Sequence, residues 1–266
     1  MMQIQPDLQP DQRDEPEIVK PLLHPDAKFK RIVLKISGES LGGEGGCGID
    51  PDRVEEIARK IKQVYDMGIE VGLVVGGGNL WRGVVGVSRG MEQSTSDHMG
   101  MIGTVMNGLA MQDALQRLGV NARVQTAISM NAVAEPYIRL RAIRHLEKGR
   151  IVIMTGGTGN PYFTTDTAAA LRAMEINADV VIKATKVDGV YSADPKKNPD
   201  AVRYERLSYE EVLLKRFEVM DMTAFALCRE HNLPIMVVNF WSEDMLEAVK
   251  GNTSVGTIIC DETPAN

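Results

Sequence analysis

The stretch from residue 31 to residue 75 reads RIVLKISGESLGGEGGCGIDPDRVEEIARKIKQVYDMGIEVGLVV. It begins with a short β-branched run, passes through a glycine-rich loop and ends in a second apolar run. Between the two runs, Asp50 is a suitable helix N-cap, Pro51 suits the first helical position, and apolar residues repeat at helical spacing until Gly68. The order strand, loop, helix, strand predicts a crossover unit with two parallel strands.

Further apolar runs of strand length alternate with helical patterns along the chain. Together with 31–36 and 69–75, the predicted strands are 121–126, 150–154, 179–183, 234–238 and 256–260. This alternation is typical of proteins in which helices cover both faces of a parallel sheet. We therefore predict an α/β fold, a three-layer αβα sandwich with a mainly parallel central sheet.

The composition is that of an ordinary globular protein, with 44% hydrophobic and 25% charged residues among 266. No apolar run approaches the roughly 18 residues of a membrane span. The segment Met1–Lys30 is Pro-rich and acidic and lacks the pattern of a secretory signal. We therefore expect a cytoplasmic protein that binds no membrane, and the net charge of −6 argues against a general nucleic-acid surface.

Residues 1–28 differ from the rest of the chain, because they hold five of the twelve prolines and no glycine. They carry few bulky apolar groups that could offset the entropy cost of ordering. We predict a flexible acidic extension over residues 1–28 and a single folded domain over residues 29–266.

The segment from Asp97 to Leu118 is apolar nearly all round, although its spacing is helical. A helix without a polar face is usually buried on two sides. Contact with a second subunit would supply the second side, so we expect a homo-oligomer. Full burial within one monomer is the alternative.

Three glycine-rich junctions each follow a predicted strand: Lys35–Ser40, Gly76–Gly83 and Thr155–Asp166. The carboxyl ends of parallel strands meet at one edge of a sheet, so these loops should converge there. Glycine allows close backbone approach, and successive N–H groups attract phosphate oxygens. Three such loops together indicate a site for more than one phosphate group.

Cations accompany these loops, because Lys35 and Lys183 end predicted strands and Arg82 follows the triple glycine. Phosphoryl transfer depends mostly on positioning and on neutralising charge on the transferring oxygens. We therefore predict catalytic roles for Lys35 and Lys183, with Asp166 orienting the lysines. A salt-bridged or snorkelling lysine and a helix-capping Asp166 are the alternatives.

Other ligand motifs are absent or weak. The pattern G-x-x-x-x-G-K-[ST] does not occur, and Gly43–Gly48 matches G-x-G-x-x-G without an acid that could hold a ribose after strand 69–75. The histidines form no triad-like pattern, and neither they nor Cys47, Cys228 and Cys260 have metal-ligand spacing. We expect no metal held by protein ligands, and reduced, mostly buried thiols.

Longer motifs in the same loops resemble one family. They are Lys35-Ile-Ser-Gly38, the Gly76–Gly83 loop, Asp97-His-Met-Gly100, TGNPYFTT at 158–165 and KATKVDGVYSADP at 183–195. These motifs resemble the bacterial UMP kinases of the amino acid kinase family, over about Phe29 to Cys260. The last motif is shared with amino acid kinases generally, whereas the Asp97 and 158–165 motifs point to the UMP enzymes.

The resemblance implies a homohexamer that transfers the γ-phosphate of ATP, which carries Mg²⁺, to UMP, giving UDP and ADP in pyrimidine nucleotide biosynthesis. Matching positions would bind ATP through Lys35, Ile36, Ser37, Gly38, Gly78, Arg82, Thr185, Tyr191 and Asp194. They would bind UMP through Gly77, Asp97, Thr158, Gly159, Asn160, Pro161, Tyr162, Phe163, Thr164 and Thr165. The resemblance also implies inhibition by UTP and allosteric activation by GTP through the loop Gly43, Glu44, Gly45, Gly46, Cys47 and Gly48.

Two features depart from the family pattern. Cys47 stands where relatives often carry an aromatic residue, and the acidic extension before Phe29 lies outside the pattern. Three other functions stay open: an amino acid or carbamate kinase on the same fold, a non-catalytic nucleotide sensor, and an NAD-binding protein.

Overall fold

The computed structural model describes residues 20–193, 195, 197–215, 217 and 219–261. Its strands are β1 (Arg31–Ile36), β2 (Glu70–Val75), β3 (Ala122–Thr126), β4 (Glu135–Pro136), β5 (Ile151–Thr155), β6 (Val180–Thr185), β7 (Val190–Tyr191), β8 (Arg203–Tyr204), β9 (Arg206–Leu207), β10 (Ile235–Asn239) and β11 (Gly256–Ile259). Its α-helices are α1 (Pro51–Asp66), α2 (Gly83–Ser88), α3 (Gln93–Arg117), α4 (Arg139–Glu147), α5 (Thr165–Glu175), α6 (Tyr209–Lys215), α7 (Met222–Glu230) and α8 (Asp244–Val249).

Nine of these strands form one sheet in the order β4-β3-β5-β2-β1-β6-β10-β11-β9. Within the described residues, β10 with β11 is the one antiparallel pair of this sheet. Each of the seven predicted strands is present within two residues of its expected ends. Sequence reasoning missed β4, β7, β8 and β9, which have two residues each and therefore no readable periodicity.

Helices cover both faces of the sheet, as predicted. Apolar residues of α1, α3 and α8 pack with Ile32, Leu34 and Ile36 on one face. Residues of α4, α5, α6 and α7 pack with Val33 and Val181 on the other face. Because β1 is buried on both faces, its sequence is nearly continuously apolar, which is usual for a central parallel strand. The predicted three-layer α/β fold is confirmed.

Helix α1 begins where the sequence predicts. The Asp50 carboxylate accepts hydrogen bonds from the backbone N–H groups of Asp52 and Arg53, at 2.9 and 3.3 Å. Its C-terminal end lies just before Gly68, whose φ of +76° is readily adopted by glycine. Helix α1 therefore spans the predicted residues, and the chain continues from it into β2.

Residues 20–28 pack against the domain, although we predicted a flexible extension up to residue 28. Lys20 Nζ lies 2.5 Å from the buried carboxylate of Glu70, which also pairs with Arg31. The backbone N–H groups of His24 and Lys28 donate to the carbonyls of Met67 and Val249. The part of the predicted extension that the structure describes is therefore docked, and residues 1–19 lie outside the described residues.

Helix α3 has one buried and one exposed apolar side. Met111 and Leu115 are fully buried, whereas Met99, Ile102 and Met106 are 37%, 45% and 50% exposed. These three residues lie on one face, because their spacing of three and four residues matches the helical repeat. Full burial of this helix within the monomer, the alternative considered above, is therefore not what the structure shows.

Two of the three thiols are buried as expected. Cys228 and Cys260 lie in the interior, and burial raises the pKa of Cys228 to about 12, so it is an unreactive thiol at neutral pH. Cys47 is exposed, because it lies in the loop between β1 and α1. Among the described helices, none combines the length and the apolar character that crossing a membrane requires.

Candidate active site

The glycine-rich loops leave one edge of the sheet from neighbouring strands. Strands β5, β2, β1 and β6 are adjacent and parallel, so the segments that follow them begin side by side. The structure therefore brings together the Lys35–Ser40, Gly76–Gly83 and Thr155–Asp166 junctions. This edge is where ligands bind in open parallel sheets.

Glycine is required where two of these loops touch. The Gly76 N–H donates to the Ile36 carbonyl at 2.9 Å. A Cβ atom on Gly38 would lie 2.3 Å from the Gly76 carbonyl oxygen, and one on Gly77 would lie 2.5 Å from the Gly100 oxygen. A larger residue at Gly38 would push the two loops apart, and one at Gly77 would push its loop away from helix α3, so these backbone contacts explain both glycines.

Lys35 and Lys183 occupy paired positions on β1 and β6. Their ammonium groups reach the two oxygens of one carboxylate: Lys35 Nζ lies 2.6 Å from Asp166 Oδ1, and Lys183 Nζ lies 2.8 Å from Asp166 Oδ2. The side chains are 10%, 19% and 13% exposed for Lys35, Lys183 and Asp166. The structure thus joins the three predicted catalytic residues in one nearly buried cluster.

The Asp166 side chain is free for this role because another residue caps helix α5. Thr164 is the N-cap, and its Oγ1 accepts hydrogen bonds from the N–H groups of Asp166 and Thr167, at 3.0 and 3.3 Å. The alternative that Asp166 merely caps the helix is therefore wrong. Asp166 lies instead in the first helical turn, where the helix dipole favours a negative charge.

The charges of this cluster depend on one another. Burial alone would raise the pKa of Asp166, but the nearby Lys35 and Lys183 outweigh it and hold that pKa below 3.8. Burial also lowers the pKa of Lys183 from 10.5, and the attraction of Asp166 offsets only part of this effect. Asp166 is consequently a weak base. The two ammonium groups place two positive charges close together at the edge of the sheet.

Asp221 joins two helix N-termini next to this cluster, and sequence reasoning missed it. Its carboxylate accepts hydrogen bonds from the Thr164 and Thr167 hydroxyls and caps α7 through the Ala224 N–H at 2.9 Å. The Lys183 ammonium donates to the carbonyl of Val219 in the segment just before Asp221. An aspartate directly before a helical pattern is an N-cap signal that would have pointed to this position.

The predicted ATP residues lie on both sides of the lysine pair. Gly38 starts a short 3₁₀ turn after β1, and Arg82 pairs with Glu39 across the two loops at 2.5 Å. Arg82 is exposed and does not join the lysine pair. Its guanidinium is therefore held at the mouth of the site rather than at the lysine cluster.

A cavity of about 500 Å³ opens beside Lys183. Its wall includes Thr185, Tyr191, Phe217 and Val219. The Tyr191 hydroxyl donates to Asp188 at 2.7 Å. This hydrogen bond holds the Tyr191 ring at the cavity wall and raises the pKa of Tyr191. Asp194, the last predicted ATP residue, lies outside the described residues.

The predicted UMP residues also come together. Asp97 Oδ2 accepts the Tyr162 N–H at 2.8 Å, so the start of α3 is tied to the 158–165 loop. Tyr162 has a φ of +72°, an uncommon conformation for a bulky residue, and its side chain is 71% exposed. Gln93 holds the other Asp97 oxygen at 2.9 Å. The loop therefore depends on Asp97 for its shape.

The Gly43–Gly48 loop follows the Gly38 turn along the chain and precedes α1. It closes through a hydrogen bond from the Gly43 N–H to the Cys47 carbonyl at 3.2 Å, and Gly45, Gly46 and Gly48 have positive φ values. This loop borders a second cavity of about 680 Å³, together with Arg53, Lys186 and Trp241. It is joined to the Gly76–Gly83 loop at Asn79, whose carbonyl accepts the Gly48 N–H.

Glycine-rich loops and two nearly buried lysines thus meet at one edge of an α/β sheet. Residues 30–239 match the model of the "Amino acid kinase family". A uridylate kinase of Paramagnetospirillum magneticum is 55% identical over 237 residues, which cover 89% of this chain and 99% of that protein. The chain belongs to the amino acid kinase family, so the expected phosphotransferase class is confirmed.

Solved structures agree with this assignment. A UMP kinase of Bacillus anthracis has a TM-score of 0.84 and 41% identity, covering 88% of this chain and 97% of that one. A UMP kinase of Ureaplasma parvum has a TM-score of 0.82 and 36% identity, covering 88% and 100%. The resemblance to the UMP kinases that the motifs predicted is confirmed.

Proposed function

We propose that this enzyme transfers the γ-phosphoryl group of ATP to UMP, giving UDP and ADP. The observation that carries the proposal is the cluster of Lys35, Lys183 and Asp166 at the edge where three glycine-rich loops meet. The names of the similar proteins, uridylate kinase and UMP kinase, support UMP as the acceptor. The Asp97 contact with the 158–165 loop supports a separate acceptor site beside the lysines.

The reaction needs no general base. A phosphate monoester has a second pKa near ~6, so the attacking oxygen of UMP is already largely ionised at neutral pH. The low pKa of Asp166 makes it unsuitable for accepting a proton, because both of its oxygens are held by ammonium groups. Asp166 instead orients Lys35 and Lys183 toward the space between the nucleotides.

The main obstacle is the repulsion between two polyanions. Two unit charges about 4 Å apart repel by roughly 4 kcal/mol at an effective dielectric constant of 20. Lys35 and Lys183, together with the Mg²⁺ that ATP carries, neutralise this charge and the charge that develops on the transferring phosphoryl group. Backbone N–H groups of the Gly38 turn and the Gly76–Gly83 loop add partial positive charge without any change of protonation.

The two nucleotides occupy different parts of the edge. ATP lies along Lys35–Gly38, Gly78 and Arg82 and places its base in the cavity lined by Thr185 and Tyr191. Asp194 remains a proposed ATP residue on the strength of its sequence motif alone. UMP lies on Gly77, Asp97 and the 158–165 loop, where Tyr162 and Phe163 present exposed aromatic rings. The sheet order supports this division, because the 158–165 loop follows β5 whereas Thr185 ends β6, and strands β2 and β1 lie between these two.

The setting of the reaction is also part of the proposal. UDP formed in this way would serve pyrimidine nucleotide biosynthesis in the cytoplasm. The enzyme assembles as a homohexamer, GTP activates it through the Gly43–Gly48 loop, and UTP inhibits it. The exposed apolar face of α3, formed by Met99, Ile102 and Met106, supports contact between subunits, because such a strip is normally covered.

A coupled assay tests the proposed activity. The purified enzyme is given MgATP and one acceptor at a time: UMP, CMP, glutamate or carbamate. We expect ADP release with UMP, and UDP as the second product, at a rate far above those with the other three acceptors. Preference for glutamate or carbamate would contradict the proposal and would favour an amino acid or carbamate kinase.

A further inference from the structure

Two asparagines form a buried pair behind the glycine-rich loops. Asn79 and Asn107 are 6% and 0% exposed. Asn79 Nδ2 donates to Asn107 Oδ1 at 3.0 Å, and Asn107 Nδ2 donates to Asn79 Oδ1 at 2.7 Å. A buried amide is costly unless it is hydrogen-bonded, so this pair is held by specific contacts.

Each amide also holds a backbone carbonyl of a glycine. Asn107 Nδ2 donates to the Gly76 oxygen at 2.7 Å, and Asn79 Nδ2 donates to the Gly48 oxygen at 2.6 Å. Each NH₂ group has two hydrogens, so both groups use their full donor capacity. An apolar side chain could fill the same space, but it could not hold these two carbonyls.

The pair contacts three loops and one helix. Asn79 Oδ1 leaves no room for a Cβ on Gly38, because the two atoms would be 2.6 Å apart. The Asn79 backbone carbonyl also accepts the Gly48 N–H at 2.9 Å, so two hydrogen bonds join Asn79 to the Gly43–Gly48 loop. Asn107 lies within α3, the helix whose outer face carries the exposed methionines.

We propose that Asn79 and Asn107 are positioning residues for phosphoryl transfer. They hold the Gly76–Asn79 loop against the Gly38 turn and join both to the Gly43–Gly48 loop and to α3. Neither side chain reaches the lysine cluster, so they act through the loop that carries Gly77 and Gly78 rather than on the reacting atoms. This inference rests on the proposed function, because those two glycines are assigned there to UMP and ATP.

Kinetics of Asn107→Ala and Asn79→Ala test the inference. Small misplacement of a loop can cost about 10²-fold in rate, so we expect kcat/KM to fall by about that factor for both ATP and UMP. The two residues hold each other, so Asn79→Ala with Asn107→Ala in one chain should lose no more than the worse single variant. Losses that multiply in the double variant would overturn the proposal.

A matched control separates positioning from stability alone. Gln125 is another fully buried amide, whose side chain donates to Glu135 at 3.1 Å, and β5 separates its strand β3 from β2 and the Gly76–Gly83 loop. We expect Gln125→Leu to lower the thermal midpoint and to keep wild-type kcat and KM in the folded protein. If Asn107→Ala behaves in the same way, the pair is merely structural and the inference is wrong.

A second variant and a binding measurement keep the test decisive. If an alanine variant does not fold, Asn107→Ser keeps a polar side chain at the buried position, although its hydroxyl is too short to hold the Gly76 carbonyl, and a kinetic loss of the same kind is expected. ATP affinity, measured by calorimetry without an acceptor, distinguishes the two proposals. If the wild type fails to phosphorylate UMP, weaker ATP binding in Asn107→Ser but not in Gln125→Leu still supports the positioning role, and equal ATP binding contradicts it.

Discussion

Lys35 and Lys183 lie opposite each other on neighbouring parallel strands and share the carboxylate of Asp166. Two like charges at adjacent strand ends would repel each other in the absence of a shared counterion. The Asp166 carboxylate lowers this repulsion in the free enzyme, and bound phosphate groups would lower it further. The three side chains together keep a net positive charge, which favours an anionic ligand.

Removal of either ammonium group should slow the reaction. We expect Lys35→Ala and Lys183→Ala each to lower kcat by roughly 10² or more, the scale seen for loss of a transition-state donor. The measurement is steady-state kinetics with UMP and MgATP. Lys62→Ala is the control, because Lys62 lies on the exposed side of α1 and pairs only with Asp66 among the described residues. Near-normal turnover in both lysine variants would refute their roles.

Asp166 should stabilise the fold in a pH-dependent way. Its pKa is lower in the folded protein than the ordinary 3.8, so its stabilisation is fully present above pH 3.8 and is lost as the pH falls through the lower folded-state value. We expect Asp166→Asn to lower the free energy of unfolding at neutral pH by roughly 3 kcal/mol, because it leaves two buried ammonium groups without their partner. Urea unfolding at neutral pH and below pH 3.8 measures this difference.

The difference in the free energy of unfolding between wild type and Asp166→Asn should disappear at acid pH. It should also become smaller when ATP is added. A difference that stays constant through the acid range would show that the carboxylate charge does not stabilise the cluster. A pH–rate profile of Asp166→Asn that lacks an acidic limb present in the wild type would restore a general-base role for this residue.

Asp97 should affect UMP more than ATP. Asp97→Ala removes the acceptor of the Tyr162 N–H, and a hydrogen bond to a charged group contributes about 1.5–3 kcal/mol. We expect KM for UMP to rise by roughly 10-fold to 100-fold, while KM for ATP changes little, because the Asp97 carboxylate holds the 158–165 loop rather than the ATP residues. Equal increases for both nucleotides would mean that Asp97 supports the whole edge rather than the acceptor loop.

The exposed face of α3 should control assembly. Ile102 and Met106 are 45% and 50% exposed, so Ile102→Glu with Met106→Glu adds charge without entering the core. We expect light scattering at micromolar concentration to give an oligomer for the wild type and a smaller species for this variant. A monomeric wild type would remove the proposed subunit contact.

The fold could be predicted from the sequence because its strands are long and buried on both faces. Runs such as RIVLKI in β1 are apolar throughout, and Asp50 with Pro51 marks the start of α1. The two-residue strands could not be predicted, because they are set by pairing with distant segments rather than by local pattern. The docking of residues 20–28 was missed for a similar reason, since it depends on Lys20 meeting Glu70 fifty residues away.

The candidate site was accessible from the sequence only in part. Lysines at the ends of apolar strands are unusual, and that signal identified Lys35 and Lys183. The pairing of Asn79 with Asn107 gives no local signal, because buried amides 28 residues apart look like ordinary loop and helix residues until the fold brings them together. Asp221 could have been recognised as an N-cap, but its bonds to Thr164 and Thr167 depend on the packing of α5 against α7.

The most direct test is a crystal structure with UMP and a non-hydrolysable ATP analogue bound together. We expect the ammonium groups of Lys35 and Lys183 to lie about 2.7–2.9 Å from phosphate oxygens, with Asp166 still in contact with both. Phosphates seated elsewhere on the sheet edge, with both lysines bonded only to Asp166, would contradict this expectation.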